Sequence, residues 1–145
     1  IFFNMSEENL ARILKWDSVM IGSDSSLRSL EGVLNYGKPH PRGYGTFSRV
    51  IRKYVNETSI LSIEEAIYKM TGFPAQTLGL KDRGILKEGF FADITIFDQE
   101  TIAEQATFTS PHNYSTGIKH VLVNGKLTIN DGKHESVTNG AILKK

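Results

Sequence analysis

"HVLVNGKLTINDGK", residues 120–133, is the stretch on which the fold turns. Asn124-Gly125 stands between two runs rich in Val, Leu and Ile. A type I′ turn needs positive φ at both central positions, and Asn-Gly supplies it at little steric cost. These residues predict a β-hairpin. Asn130-Asp131-Gly132 predicts a further turn. Upstream, "GILKEGFFADITIFD" (84–98) carries a strand at about 92–97, rich in Ile, Thr and Phe. Phe90, Phe91 and Phe97 read as core there, and Asp93 and Asp98, which bracket the strand, as turn-fixing residues. From about residue 84 the chain reads as small antiparallel β structure.

Working back, the period changes from two to that of a helix. Ser62 with Glu65 three residues on is a capping box, and Ile63, Ala66, Ile67 and Met70 give the buried stripe. Pro74 reads as the opening of a short helix and Gly79 as its end. Phe47, Val50, Ile51 and Tyr54 keep helical spacing. Before them, residues 25–45 are polar and irregular, and a loop of that length is uncommon unless it is functional. Ser6 reads as an N-cap, with Glu7 and Glu8 in the first turn and Leu10, Ile13 and Leu14 as its stripe. Met5 and Leu10 stand at the positions of a hydrophobic staple. The short apolar runs at 1–3 and 19–21 flank this helix and predict two buried strands of a parallel crossover unit.

Composition bounds the function. The chain has 145 residues, 39% apolar and 23% charged, which fits a globular protein with a real core. A net charge of +1 gives no electrostatic footprint for nucleic acid or an anionic membrane, and no apolar run approaches a membrane span. There is no cysteine, so disulfides, thiolate catalysis and Cys-ligated zinc are excluded; a cytoplasmic location is the expectation. A start on Ile-Phe-Phe reads as mid-strand, as in a piece of a longer protein.

Two groups of residues carry chemistry. Asp24 follows the run at 19–21 directly, in "GSDSS" (22–26). Gly-Ser-Asp-Ser is ordinary turn chemistry. The rival reading is a carboxylate at a strand tip, where parallel α/β proteins place reactive groups; on spacing alone the turn is the favoured one. His40 and Arg42, in "HPRGYG" (40–45), are either solvated groups on a rigid loop or a carboxylate-binding pair, with Arg in a bidentate contact. The four histidines, at 40, 112, 120 and 134, lack the close spacing of metal ligands, so no self-contained metal site is expected. His120 reads as a packed strand residue.

Several stretches together resemble one family. "VMIGSD" (19–24), "HPRGYGTFSRVIRKYV" (40–55), "LSIEEAIYKMTGFPAQTLGLKDRGILKEGFFADITIFD" (61–98) and the hairpin at 120–133 are similar to the C-terminal part of the D-aminoacylases. These are N-acyl-D-amino-acid deacylases of the amidohydrolase superfamily. The resemblance implies an α/β protein: the C-terminal fragment of a (β/α)8 barrel, its last two βα units in residues 1–83, with part of a small β-sandwich in residues 84–145. A whole barrel takes about 250 residues. The resemblance further implies zinc or another divalent metal in the full-length parent, with its ligands upstream and none in this chain. It matches Asp24 to the catalytic aspartate, which takes a proton from metal-bound water and returns it to the leaving amine. His40 and Arg42 match the family's HPR stretch, with a substrate-side or a loop-ordering role. Ser25 departs from the glycine the family commonly has after that aspartate, and Ser48 from a frequent proline.

The expectation is therefore part of a hydrolase acting on the amide of a small N-acyl amino acid, inactive on its own. A cyclic-amide hydrolase of the hydantoinase or dihydroorotase kind, and a non-catalytic module that self-associates through open strand edges, are the alternatives.

Overall fold

The computed structural model describes residues 6–143. Helices occupy the N-terminal part and an antiparallel sheet the C-terminal part. Helix α1 (Glu7–Leu14) starts where Ser6 accepts from the Asn9 N–H at 3.1 Å. Helix α2 (Arg42–Arg49) runs on without a break into a π-helical stretch, Val50–Glu57, which brings Val50, Ile51, Tyr54 and Val55 inward. At its end the Thr58 N–H reaches back to the Lys53 carbonyl at 3.0 Å. Helix α3 (Ile63–Met70) has the complete capping box: Ser62 Oγ accepts from the Glu65 N–H, and Glu65 accepts from the Ser62 N–H at 2.8 Å. Helix α4 (Gly72–Leu78) ends on Gly79 at φ 73°, as its sequence requires. Pro74 is the third residue of α4 rather than the first. That position is tolerated because no N–H of the first turn has a partner within the helix.

The core lies among these helices. Leu14, Val50, Tyr54, Val55, Leu61 and Ala66 form it, with Leu10, Ile21 and Met70 packed around. Strands β1 (Ile94–Phe97), β2 (Ile118–Val123), β3 (Lys126–Asn130) and β4 (Lys133–His134) pair in sequence order, all antiparallel. Both predicted turns are in place. Asn124 and Gly125 have φ of 51° and 75°, and Asp131 and Gly132 have 46° and 76°. Asp93 Oδ1 accepts from the Asn124 N–H at 2.8 Å, and Asp98 Oδ1 from the Glu100 N–H at 2.9 Å, so both acids fix turns. His120 sits half-buried in β2.

Four further expectations need correction or fall outside the structure. The run at 19–21 forms no strand among the described residues, so the predicted parallel crossover is not seen there. A parallel strand exists only through pairing on its flanks. This run instead lies against α3: the Ile21 N–H donates to the Lys69 carbonyl at 3.1 Å, and the buried Lys69 ammonium donates to the Val19 carbonyl at 3.3 Å. Phe91 is half-exposed rather than core, at the surface with the Arg83 guanidinium 4.1 Å over its ring. The strand at 1–3 and the staple at Met5 lie outside the described residues. No described helix is long and apolar enough to cross a membrane.

Candidate functional site

Asp24 and Arg42 are brought together. Arg42 Nη2 lies 2.9 Å from Asp24 Oδ2. Asp24 takes a left-handed backbone, φ 49°, which aspartate adopts more readily than most residues. The bend ends the run held against α3 and swings the carboxylate out, 89% exposed, over the start of α2. The first turn of α2 is close enough that a Cβ on Gly43 would lie 2.7 Å from Ser25 Oγ. Glycine at 43 is thus what lets Ser25 stand where it does.

His40 precedes the helix and helps start it. Its Nδ1 accepts from the Arg42 N–H at 3.1 Å, one of the amides that the helix leaves unpaired. Its ring meets Phe108 edge-on, centroids 4.8 Å apart. His40, Arg42, Thr46 and Arg49 form one wall of a cleft of about 530 Å³. Glu104 and Phe108 form the other. A cationic side chain, an imidazole and an aromatic face around an open hollow suit a small anionic molecule with an apolar part.

Glu104 ties that far wall to the helices. Its carboxylate accepts from Arg52 Nε at 2.7 Å and Arg49 Nη1 at 3.1 Å, and it is also paired with Arg52 Nη2. Arg49 reaches on to Glu7 at 3.3 Å. Burial pushes the Glu104 carboxyl up, but Arg52 and Arg49 outweigh it and hold it below the usual range. A carboxyl with a lowered pKa stabilises the fold above its unfolded value of 4.5 and loses that contribution as pH falls through the folded value. Glu104→Gln is therefore expected to cost about 2 kcal/mol at neutral pH. In urea titrations the gap between variant and parent sequence should close as pH drops below 4.5.

The polar loop between Asp24 and Arg42 is pinned from behind. Tyr44 Oη lies 2.8 Å from the Ser29 carbonyl and 3.2 Å from His112 Nδ1, and His112 Nε2 lies 2.9 Å from the Gly37 carbonyl. The Leu30 N–H donates to Tyr114 Oη at 3.3 Å. Burial, with Tyr114 adding and Arg28 opposing, pushes the Tyr44 hydroxyl above the usual phenol range. Ser48, the departure from proline, is buried and meets Ser115 Oγ at 2.5 Å, which fixes α2 to the same segment.

Of the three candidate residues, the structure places Asp24 and Arg42 in contact and His40 beside them. Sequence reading missed Glu104, Phe108, Tyr44, His112 and Tyr114. Their partners lie far away in the chain, so no local spacing marks them. Among the described residues no group of three His, Asp or Glu is placed to hold a metal ion.

Comparison with known proteins gives the family. The model of the amidohydrolase family matches residues 17–129. An N-acyl-D-glutamate deacylase of Alcaligenes xylosoxydans xylosoxydans is 44% identical over 125 residues, 86% of this chain and 24% of the relative. A crystal structure of D-aminoacylase superposes with a TM-score of 0.87 at 37% identity, covering 97% of this chain and 28% of that one. An N-acyl-D-glutamate deacylase from Bordetella bronchiseptica was solved with zinc and a phosphonate mimic of the tetrahedral intermediate. It superposes at 0.77, also at 37% identity, over 94% of this chain and 28% of its own. The chain thus spans about a quarter of the length of the relatives it matches.

Proposed function

The chain belongs to the amidohydrolase family, and from that premise we propose that it is the C-terminal portion of a metal-dependent hydrolase that cleaves the amide bond of N-acyl-D-amino acids. Residues 1–83 are assigned to the end of its (β/α)8 barrel and residues 84–145 to part of its small β-sandwich. The observation that carries this reading is the Asp24–Arg42 pair beside the cleft, in a chain alike to deacylases over nearly all its length.

Asp24 is assigned as general base and then general acid. Arg42 holds Oδ2, while Oδ1 has no hydrogen-bond partner among the described residues, which supports a free acceptor facing solvent. In that role Oδ1 takes a proton from the attacking water and later gives it to the leaving amine. Arg42 has a planar fork that suits the substrate carboxylate. His40 accepts from the Arg42 N–H and meets Phe108 edge-on, which keeps the start of α2 at the cleft. Structural zinc and catalytic zinc alike take three or four protein ligands. Among the described residues no three His, Asp or Glu are grouped to hold an ion, and no step here depends on one. The ion of the parent would sit on residues outside this chain, and the chain by itself would not turn over substrate. A cytoplasmic location fits the absence of cysteine.

A substrate panel tests the reading. The full-length parent is expected to hydrolyse N-acetyl-D-glutamate, N-acetyl-D-aspartate or N-acetyl-D-leucine, followed by amine release. It should leave dihydroorotate and hydantoins intact. Turnover of the cyclic amides alone would replace the deacylase assignment with a cyclic-amide one.

A further inference from the structure

The cluster behind the loop has a proton count that does not close when the histidine is neutral. The carbonyls of Ser29 and Gly37 only accept hydrogen bonds. His112 therefore donates from Nε2 to Gly37, which leaves Nδ1 bare in the neutral ring. Tyr44 has one proton for two acceptors, the Ser29 carbonyl and that bare Nδ1. One of the two contacts must go without a hydrogen. If His112 carries both protons, Nδ1–H donates to Tyr44 Oη, Tyr44 donates to Ser29, and every contact is made.

We propose that His112, acting through Tyr44, is a positioning residue for the Asp24–Arg42 pair: doubly protonated, it completes the hydrogen bonds that seat residues 25–37, and neutral, it leaves that loop one bond short. The anchored carbonyls lie on either arm of the loop, Ser29 on the arm that leaves Asp24 and Gly37 on the arm that enters α2 at Arg42. Slack in these arms is slack at the pair. The titratable or charged groups of this cluster are Tyr44 of α2, which meets the His112 ring, and beside Tyr44 the Tyr114 of the segment that carries His112 and Arg28 of the loop. No carboxylate is hydrogen-bonded to the imidazole among the described residues. The effect on catalysis rests on the deacylase reading; the seating of the loop does not.

Hydrogen exchange of the whole chain, without substrate, reads the loop directly. After correction for intrinsic rates, protection of the Leu30 amide should fall about fivefold between roughly pH 5.5 and pH 8, the worth of about one hydrogen bond. His112→Gln can donate to Gly37 and accept from Tyr44 in one fixed arrangement, so its protection should not vary with pH. His112→Phe should be poorly protected at both. Amides of the β2–β3 hairpin serve as the folding control. If His112→Phe unfolds, wild type against His112→Gln decides. Flat wild-type protection, or a pH response retained in His112→Gln, overturns the proposal. In the parent, His112→Gln, which leaves the Ser29 carbonyl without a donor as neutral His112 does, should remove one limb of the pH profile of kcat/KM and hold its value near the high-pH wild-type level. A pH-dependent loop in a parent without deacylase activity would keep the loop mechanism and reject the assigned reaction.

Discussion

Asp24→Asn is expected to lower kcat of the full-length parent in the proposed deacylation by about 10²–10⁴-fold, the usual worth of a positioned proton acceptor. The substitution is nearly isosteric. The amide oxygen can still accept from Arg42 Nη2, which lies 2.9 Å from the carboxylate, so the loop and the fold should be unaffected. What is lost is basicity, and only the chemical step needs it. KM should therefore change little, because ground-state contacts survive. Arg42→Ala should behave oppositely, raising KM more than it lowers kcat, since its assigned partner is the substrate carboxylate. Steady-state kinetics on both variants separate the roles. Equal kcat for Asp24→Asn and wild type would remove the carboxylate from the mechanism.

Gly117→Ala is expected to be the most damaging single methyl addition in the sheet region. Gly117 has φ 79°, and a Cβ there would lie 2.4 Å from Ile102 Cα and 2.5 Å from Ile102 N. Both are backbone atoms and cannot rotate away. The conformation alone costs about 1–3 kcal/mol for a residue with a side chain. Displacing the backbone adds to it, for a total of about 3 kcal/mol or more against a typical stability of 5–15 kcal/mol. Gly117 also holds its neighbours: its carbonyl accepts from the Asp98 N–H at 2.9 Å, and Ile102 beside it is buried. Calorimetry should show a Tm lower by about 6–12 °C. Gly140→Ala, with nothing within 4 Å, is the control and should be close to neutral.

The parts that were legible in the sequence are those made by neighbours in the chain. Asn124-Gly125 specifies its turn through two φ angles, Ser62 and Glu65 cap each other across one helical turn, and Gly79 stops a helix by itself. Local chemistry decided these, and no distant residue overruled it. The apolar run at 19–21 was different. Short apolar runs say that a segment is covered, not what covers it. Here the cover is Lys69 and α3, not flanking strands. Asp24, His40 and Arg42 were each visible as reactive side chains, yet their approach was not. It depends on a positive φ at Asp24 and on a loop folded back over α2. Glu104 and His112 gave no signal, because each meets its partners only after the sheet region has docked on the helices.

The two-sided hollow carries a lesson for protein engineers. Its walls come from opposite sides of the assigned junction at residues 83 and 84: His40, Arg42 and Arg49 before it, Glu104 and Phe108 after it. A hybrid enzyme spliced at that junction would join one donor's cations to another donor's aromatic panel. Substrate preference would then be inherited from neither donor. Splicing beyond Phe108 keeps both panels from a single ancestor.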